Sequence, residues 1–221
     1  RIGSQEVTPD DAHPVLIVSN HVSWVDIVLH FYLYFPASFI IKAGVWKIPI
    51  IGDIGKHIKC IGVVRENKSS QDRGVSDVIT ARLKEEHAKE SPEQRHAVLV
   101  FPEGTTTNGK FLLPFKTGCF LGGVPVKPVV FKYKTRRMSP AWESMNGMRH
   151  VMLMLAQPLH TVAVYELPTY YPSEAEKADP KLYAANVCAY MRLQGMLEGT
   201  TATLADKRDY HLSLETKAKR E

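Results

Sequence analysis

Short apolar runs alternate with helical patterns along the chain, and this order limits the folds that it can adopt. Each run is bounded by turn residues and predicts a strand. The predicted strands cover residues 15–19, 37–43, 58–64, 97–101, 124–131 and 160–167. Helical patterns at 23–35 and 72–90, with a capping box at Ser173, lie between or after them. With 44% hydrophobic residues in 221, the chain is expected to form one α/β domain.

The first predicted strand runs into a turn that carries a histidine and an aspartate five positions apart, His21 and Asp26. On an unbroken helix, residues at this spacing point about 140° away from each other. The pair can meet only if His21 lies in the turn and the helix begins near Ser23. In that arrangement the carboxylate would fix the tautomer of the imidazole, and the imidazole could accept a proton from a hydroxyl.

The same residues allow a purely local interpretation. Ser23 and Asp26 match a capping box, in which Asp26 would only satisfy backbone N–H groups at the start of a helix. Taken alone, this stretch leaves both interpretations open.

A polar loop follows the fourth predicted strand, at residues 102–110. It combines the carboxylate of Glu103 with two glycines and three threonines, so it offers hydroxyls, backbone N–H groups and a charge in one place. An ordinary surface turn would use only Asn108 and Gly109. Lys116 is expected near the same edge, at the start of a helix. Arg65, after the third strand, could bind a phosphate bidentately or form a surface ion pair.

The net charge of +5 and the pI near 9.0 favour anionic partners such as phosphates or an acidic membrane surface. Nucleic acid is not expected, because the chain has no zinc-ligand spacing, Arg-rich helix or aromatic RNA-binding signature. Its three cysteines are far apart, which indicates neither a disulfide framework nor a metal site. A reducing compartment follows from this cysteine usage.

Two apolar segments admit either core packing or contact with lipid. Core packing is the default for the helix at 23–35 and for the run Val151–Leu155. The stretch Ile27–Ile41 is shorter than the ~18 residues of a transmembrane helix and contains Pro36. Any stable anchor is therefore expected in sequence missing from this chain or in an interfacial face of the domain. Pro125 and Pro128 suggest an edge strand or the beginning of a strand.

Four stretches in order resemble the sequence blocks of the glycerolipid and lysophospholipid acyltransferase family. They are His21 with Asp26, residues 62–65, Phe101-Pro102-Glu103-Gly104-Thr105 and Val124-Pro125-Val126-Lys127-Pro128. The finding of all four together favours the catalytic interpretation of His21 and Asp26. Residues 103–109, 115–118, 139–142 and 167–174 look like the lysophosphatidylcholine and lysophosphatidylethanolamine acyltransferase branch, particularly its plant-type members.

This resemblance implies an α/β fold with a central mixed, largely parallel sheet flanked by helices. It implies transfer of a fatty acyl group from acyl-CoA to a lysophospholipid hydroxyl, with His21 as general base, Asp26 orienting it, and no metal or other cofactor. By the same resemblance, Glu103, Gly104 and Thr105 bind the acceptor, and Arg65 and Lys116 remain as phosphate candidates. Many phosphatidic-acid-forming relatives have Arg where Thr106 stands, which argues against lysophosphatidate as sole substrate.

The expected domain covers residues 15–210, between a lead-in at 1–14 and a mobile tail at 211–221. Membrane association is expected, at the endoplasmic reticulum membrane. A lysophosphatidate or glycerol-3-phosphate acyltransferase and a catalytically silent lipid-binding module are the alternatives. Backbone N–H groups near the start of the helix at Ser23 are the expected donors to the thioester oxyanion.

Overall fold

The computed structural model describes residues 8–63, 71–134, 138–142 and 145–218. Its strands are β1 Leu16–Ser19, β2 Ser38–Lys42, β3 Ile61–Val63, β4 Val98–Val100, β5 Phe111–Leu112, β6 Val126–Lys134, β7 Thr161–Glu166 and β8 Glu198–Gly199. Its α-helices are α1 Pro9–Ala12, α2 Val25–Tyr34, α3 Ile51–His57, α4 Gln71–His87, α5 Gly147–Leu155, α6 Glu174–Ala178, α7 Pro180–Gln194 and α8 Leu204–Ala218. Single 3₁₀ segments occur at Ala43–Lys47 and Pro92–Gln94.

Six strands form one sheet in the order β3-β2-β4-β1-β6-β7. All neighbouring strands are parallel except β6 and β7, which are antiparallel. Strands β5 and β8 form a separate parallel pair. The α/β fold with a mixed, largely parallel sheet is therefore confirmed.

The side chains of β1 divide between two hydrophobic layers. Leu16 and Val18 belong to a buried cluster that includes Leu83 of α4 and Val187 of α7. Ile17, between them, belongs to a second cluster, against which side chains of α2 pack. Because successive strand residues point to opposite faces, both faces of the sheet are covered by helices and β1 is wholly buried.

Of the two predictions for Pro125 and Pro128, the edge strand is wrong, because β6 lies between β1 and β7, and the beginning of a strand is confirmed, because β6 starts at Val126. The carbonyl of Pro128 accepts a hydrogen bond from Leu167 N–H at 3.0 Å. In an extended strand the N–H and C=O of one residue point to the same side, so the missing N–H of Pro128 faces β7 rather than β1. Pro128 lies just beyond the last β6–β7 pair, Val129 with Glu166, so the missing bond falls at the end of the ladder and the pairing with β1 is intact.

Several segments differ from their predicted conformation. Residues 115–120 form turns rather than the predicted start of a helix, and helix α3 at Ile51–His57 lies where no helix is predicted. The prediction of a core-packed run at Val151–Leu155 is wrong for Met152 and Leu155, which are exposed, whereas Met154 is buried. A nine-residue helix lying on the surface buries only one face.

Both predicted domain boundaries fall at elements that the sequence patterns missed. In the lead-in, Asp11 at the end of α1 accepts hydrogen bonds from Lys127 Nζ at 2.7 Å and Thr169 Oγ1 at 2.7 Å. Burial acts to raise the pKa of Asp11, but these bonds outweigh it and hold the pKa well below its usual range. Helix α8 continues across residues 210 and 211. The boundaries themselves stay a prediction.

Asn20 joins β1 to β6 where their backbone pairing ends. Its side-chain N–H donates to the carbonyl of Phe131 at 3.0 Å, and Phe131 N–H donates to its side-chain oxygen at 2.8 Å. The last paired residues of the two strands are Ser19 and Val129. The amide therefore replaces a backbone partner in a place where the Asn20 side chain is almost completely buried.

Replacing Asn20 by Ala is expected to lower the free energy of unfolding by about 2–4 kcal/mol, because two backbone groups of Phe131 lose their partners in a buried place. Urea denaturation followed by circular dichroism measures the change. The control is Gln194→Ala at the exposed end of α7, for which a change within about 0.5 kcal/mol is expected. Equal changes in the two variants would contradict the assignment.

Candidate active site

The turn between β1 and α2 brings His21 and Asp26 together. His21 Nδ1 and Asp26 Oδ2 are 2.9 Å apart, with the Asp26 side chain completely buried and His21 partly accessible. The strand ends at Ser19 and the helix begins at Val25, which is the break that the sequence required for the pair to meet. Because the partner is a carboxylate oxygen, the proton is assigned to Nδ1, and Nε2 is left as the basic nitrogen.

Asp26 accepts further hydrogen bonds from three groups. Its Oδ2 atom accepts from the N–H groups of Val22 at 2.6 Å and Ser23 at 2.9 Å, and Oδ1 accepts from the hydroxyl of Tyr133. All of these are donors, and together they occupy both oxygens of the carboxylate. The local interpretation holds only in part, because Asp26 accepts the N–H groups of Val22 and Ser23 but the N-cap of α2 is Trp24, without a side-chain hydrogen bond. The same carboxylate contacts the imidazole, and the catalytic role of the pair stays a prediction.

The main chain of the turn is fixed from the loop after β4. His21 N–H donates to Glu103 Oε1 at 3.0 Å, and Thr107 N–H donates to the carbonyl of His21 at 2.7 Å. The ring of Phe101 stacks on the imidazole, with centroids 4.0 Å apart and planes inclined by 15°. Since β1 and β4 are parallel neighbours, both loops leave the same edge of the sheet, where α/β proteins usually bind ligands.

Glu103 lies behind His21 with both of its oxygens occupied. Its second oxygen, Oε2, accepts from Leu113 N–H at 3.0 Å, and the residue is only 1% exposed. Burial raises the pKa of Glu103 to about 7, opposed in part by the N–H groups of Leu113 and His21. The geometry gives this carboxylate a positioning role, and its predicted contact with the acceptor stays a prediction.

Gly104 makes room for Lys116. A Cβ atom at Gly104 would lie 2.7 Å from Lys116 Nζ and 2.8 Å from its Cε, and the backbone here has a φ of +71°. A side chain at this position would therefore be strained and would displace the lysine. Because Gly104 has no side chain, Lys116 can cross the loop and line the adjacent cavity.

An open cavity of about 2150 Å³ adjoins His21, and its lining residues are of two kinds. The segments around α2, β2 and α3 contribute mainly apolar side chains, among them Phe31, Phe35, Phe39, Ile41 and Ile54. Polar and cationic groups come from the loop after β4, from Lys116 and from α8. His21 contributes to the same cavity, so an amphiphilic molecule can lie along it with a polar group near the imidazole.

The predicted site residues are therefore only partly gathered at the cavity. Four of them line it: His21, Gly104, Thr105 and Lys116. Arg65 lies outside the described residues, so its predicted role is untested. The prediction that backbone N–H groups near the helix start donate to the oxyanion is wrong for Val22 and Ser23, because both of these N–H groups already donate to Asp26.

Sequence patterns missed three polar residues around the pair. Tyr133 bonds to Asp26 across 107 positions of sequence, and Asn20 fixes the strand end just before His21. His30 lies one helical turn after Asp26, is completely buried, and has no hydrogen-bond partner for either ring nitrogen among the described residues. Burial, with a smaller effect of His21, lowers the pKa of His30 to about 3. Its one sequence signal is a polar residue four positions after Asp26.

The free thiol of Cys119 also borders the cavity but is a poor nucleophile. The residue is 4% exposed, and burial raises the pKa of its thiol to about 12. A thiol with such a pKa is almost entirely protonated at neutral pH. This agrees with chemistry in which the attacking oxygen belongs to the substrate.

Sequence comparison places this geometry in a family context. The sequence model described as acyltransferase matches residues 1–132. The lysophospholipid acyltransferase LPEAT1 of Arabidopsis thaliana is 46% identical over 210 residues, which are 95% of this chain and 52% of that protein. Lysophosphatidylcholine acyltransferase 1 of Danio rerio is 34% identical over 189 residues, 85% of this chain and 35% of that protein. The chain thus spans about half or less of these curated relatives.

The chain is also similar to a solved structure. The 1-acyl-sn-glycerophosphate acyltransferase PlsC of Thermotoga maritima aligns with a TM-score of 0.49 and 20% sequence identity. The alignment covers 86% of this chain and 70% of that one.

Glu103 is expected to make stability depend on pH. Its folded pKa near 7 exceeds its ordinary value of 4.5, so between these values the folded state keeps a proton that the unfolded state loses. The contribution of Glu103 to the free energy of unfolding should therefore fall as pH rises through this window, by at most about 3 kcal/mol, whereas buried His30, with a folded pKa of about 3, acts in the opposite direction in parent and variant alike. Denaturation of the parent and of Glu103→Gln across this range measures the effect, which the variant should lack.

The matched control is Glu93→Gln, at an exposed glutamate in the 3₁₀ segment after α4. Its stability should change with pH in the same way as that of the parent. If the curves for Glu103→Gln and the parent run parallel from pH 4.5 to 7, Glu103 does not titrate there.

Proposed function

The chain belongs to the acyltransferase family, and we propose that it transfers a fatty acyl group from acyl-CoA to the free hydroxyl of a lysophospholipid. The observation that carries this proposal is the 2.9 Å contact between His21 Nδ1 and Asp26 Oδ2 beside a cavity lined by both apolar and cationic side chains. The pair can activate a hydroxyl, and the cavity suits an acyl chain together with a phosphate.

In the proposed reaction, His21 Nε2 accepts the proton of the lysophospholipid hydroxyl while its oxygen attacks the thioester carbonyl. Asp26 stabilises the imidazolium that forms and keeps the ring oriented. The tetrahedral intermediate then expels CoA by cleavage of the C–S bond, and the imidazolium returns the proton to the leaving thiolate. The thioester is already activated, so the scheme needs no metal or other cofactor.

The apolar and the cationic side chains that line the cavity support this choice of substrates. Aromatic and branched side chains from α2, β2 and α3 can enclose an acyl chain. Lys116 and the hydroxyl of Thr105 lie on the polar side, where they can bind the phosphate of the acceptor. The names of the relatives from Arabidopsis and Danio support a lysophosphatidylethanolamine or lysophosphatidylcholine acceptor.

Helix α2 distributes its residues in a way that supports contact with a membrane. It buries its two most polar side chains, Asp26 and His30, and exposes Val28 and Tyr32, and the next residue after it, Phe35, is exposed as well. Tyr32 is 87% exposed. A helix of a water-facing surface has the opposite arrangement, so the default expectation of core packing does not fit this side of α2.

Helix α5 presents a second apolar row nearby. Met148, Met152 and Leu155 are all exposed at helical spacing. The two helices are connected, because the indole N–H of Trp24 donates to His150 Nδ1 at 3.2 Å. We propose that one apolar face of the domain contacts the membrane surface that holds the lipid substrates. This apolar face consists of Val28 and Tyr32 of α2, Phe35 directly after α2, and Met148, Met152 and Leu155 of α5.

The described helices include none that is both long and apolar enough to cross a bilayer. Membrane association of this domain is thus proposed from its apolar face alone. Because Val28 and Phe35 also line the cavity, a lysophospholipid could pass from the membrane into the site along this face.

The proposed chemistry predicts strong effects of His21→Ala and Asp26→Asn on acyl transfer. Asn can keep an oxygen toward His21 and the turn, but it lacks the charge that stabilises the imidazolium. We expect kcat to fall by about 10²–10⁴-fold in both variants, while Asp26→Asn stays folded. CoA release from a long-chain acyl-CoA by the full-length protein is measured with lysophosphatidylethanolamine, lysophosphatidylcholine or lysophosphatidate.

The control for these variants is His87→Ala, at an exposed histidine of α4 that does not line the cavity. It should keep the kcat of the parent. Acceptor-dependent release that persists in His21→Ala would exclude the proposed base. A preference for lysophosphatidate would move the assignment to a phosphatidic-acid-forming enzyme.

Membrane contact predicts that Tyr32→Ser combined with Met152→Ser raises the apparent KM for lysophospholipid in mixed micelles by about fivefold or more, because less apolar area is available to enter the interface. Neither residue lines the cavity, so kcat should change little. The control is Leu193→Ser, at an exposed leucine of α7. Equal KM values in all three proteins would rule out the apolar face as a membrane contact.

A further inference from the structure

Helix α8 presents one stripe of residues to the cavity. The stripe consists of Leu204, Lys207, Arg208, His211 and Leu212, all of which line the cavity beside His21. Their spacing of three, four, seven and eight positions is that of a single helical face. The sequence model of the family ends at residue 132, so this helix lies outside the segment that defines the family.

The stripe carries basic side chains and no carboxylate. Asp206 and Asp209 of the same helix lie on its other side, at about 100° of rotation per residue. Asp206 is bound to Thr203, whose N–H donates to its Oδ2 at 2.6 Å. The one carboxylate among the described residues that line the cavity is Asp53, which pairs with Lys56 at 3.1 Å. The α8 side of the cavity is therefore cationic.

Lys207 attaches α8 to the loop that follows β4. Its ammonium group donates to the carbonyl of Thr106, which comes directly after Gly104 and Thr105. Helix α8 thus lies over the same loop that positions His21. The next residue, Arg208, lines the same cavity as Lys116.

Arg208 has the chemistry of a phosphate-binding residue. Among the described residues, its guanidinium forms no hydrogen bond or ion pair. A guanidinium offers several N–H donors in a planar fork that matches two oxygens of a phosphate. An unpaired guanidinium in a cavity that is also lined by many apolar side chains fits a molecule that has both an alkyl chain and a phosphate.

We propose that the α8 stripe forms part of the substrate site and that Arg208 binds a phosphate group of one substrate. The inference rests on the proposed acyl transfer, and it adds a residue that the family segment does not contain. Two molecules supply the required chemistry: acyl-CoA, through its nucleotide phosphates, and the lysophospholipid, through its head-group phosphate. The test must therefore distinguish them.

The first arm measures steady-state kinetics of the full-length protein and of Arg208→Gln, with each substrate varied in turn. Loss of a charged hydrogen bond should raise KM for one substrate by roughly tenfold, with kcat within about twofold because Arg208 does not act on the reacting atoms. A rise for acyl-CoA identifies a CoA phosphate, and a rise for the lysophospholipid identifies its head group. An unchanged KM for both in an active enzyme would overturn the inference.

The second arm measures binding without turnover, by calorimetry with CoA and with glycerophosphoethanolamine. Arg208→Gln should weaken the binding of one of these soluble probes by a similar factor. Equal affinities of parent and variant for both probes, or no binding of either probe to the parent, would overturn the inference. If the parent binds a probe through Arg208 but transfers no acyl group, the proposed function fails and the phosphate site stands.

Three further variants separate a phosphate contact from a general effect on α8. Arg208→Lys keeps the charge but loses the planar fork, so it should restore part of the affinity. Asp209→Asn changes a charge of the same helix on its other side, and Arg192→Gln removes an exposed arginine of α7 that does not line this cavity. Both should keep the KM values of the parent. Circular dichroism checks that α8 is retained, and KM shifts in either control equal to that of Arg208→Gln would overturn the inference.

Discussion

The site depends on one buried carboxylate. Asp26 accepts hydrogen bonds from the imidazole of His21, from the N–H groups of Val22 and Ser23 and from the hydroxyl of Tyr133. A buried charge is stable only when such donors surround it. The same bonds shape the turn, fix the imidazole tautomer and tie the start of α2 to β6. Local structure and proposed chemistry therefore share one interaction.

A second constraint is the need to hold the main chain of His21 from both sides. Glu103 accepts its N–H and Thr107 donates to its carbonyl, so the loop after β4 acts as a support for the turn after β1. Within this loop, Gly104 has no side chain, and Lys116 occupies the space that a side chain would fill. The resemblance assigns the loop to substrate binding, and its geometry adds the positioning of His21, the proposed general base.

The distribution of polarity fits the proposed lipid substrates. Helix α2 directs Asp26 and His30 inward and an apolar row outward, which reverses the arrangement of a helix that faces water. The cavity likewise combines hydrocarbon side chains from the segments around α2, β2 and α3 with cations from Lys116 and α8. An amphiphile can thus remain partly within the interface while its hydroxyl reaches His21.

The sequence by itself determined the α/β class, most strand positions, the break between strand and helix that lets His21 meet Asp26, and the capping box at Ser173. These features depend on residues close together in the chain, where periodicity and turn chemistry are informative. Tertiary structure alone decided that Pro128 lies in an internal strand, that Tyr133 binds Asp26 and that α8 borders the cavity. The residues that make these features possible lie about a hundred positions or more apart in the sequence, or belong to different strands and helices. Only the packing of the sheet brings them together, so no local pattern encodes them.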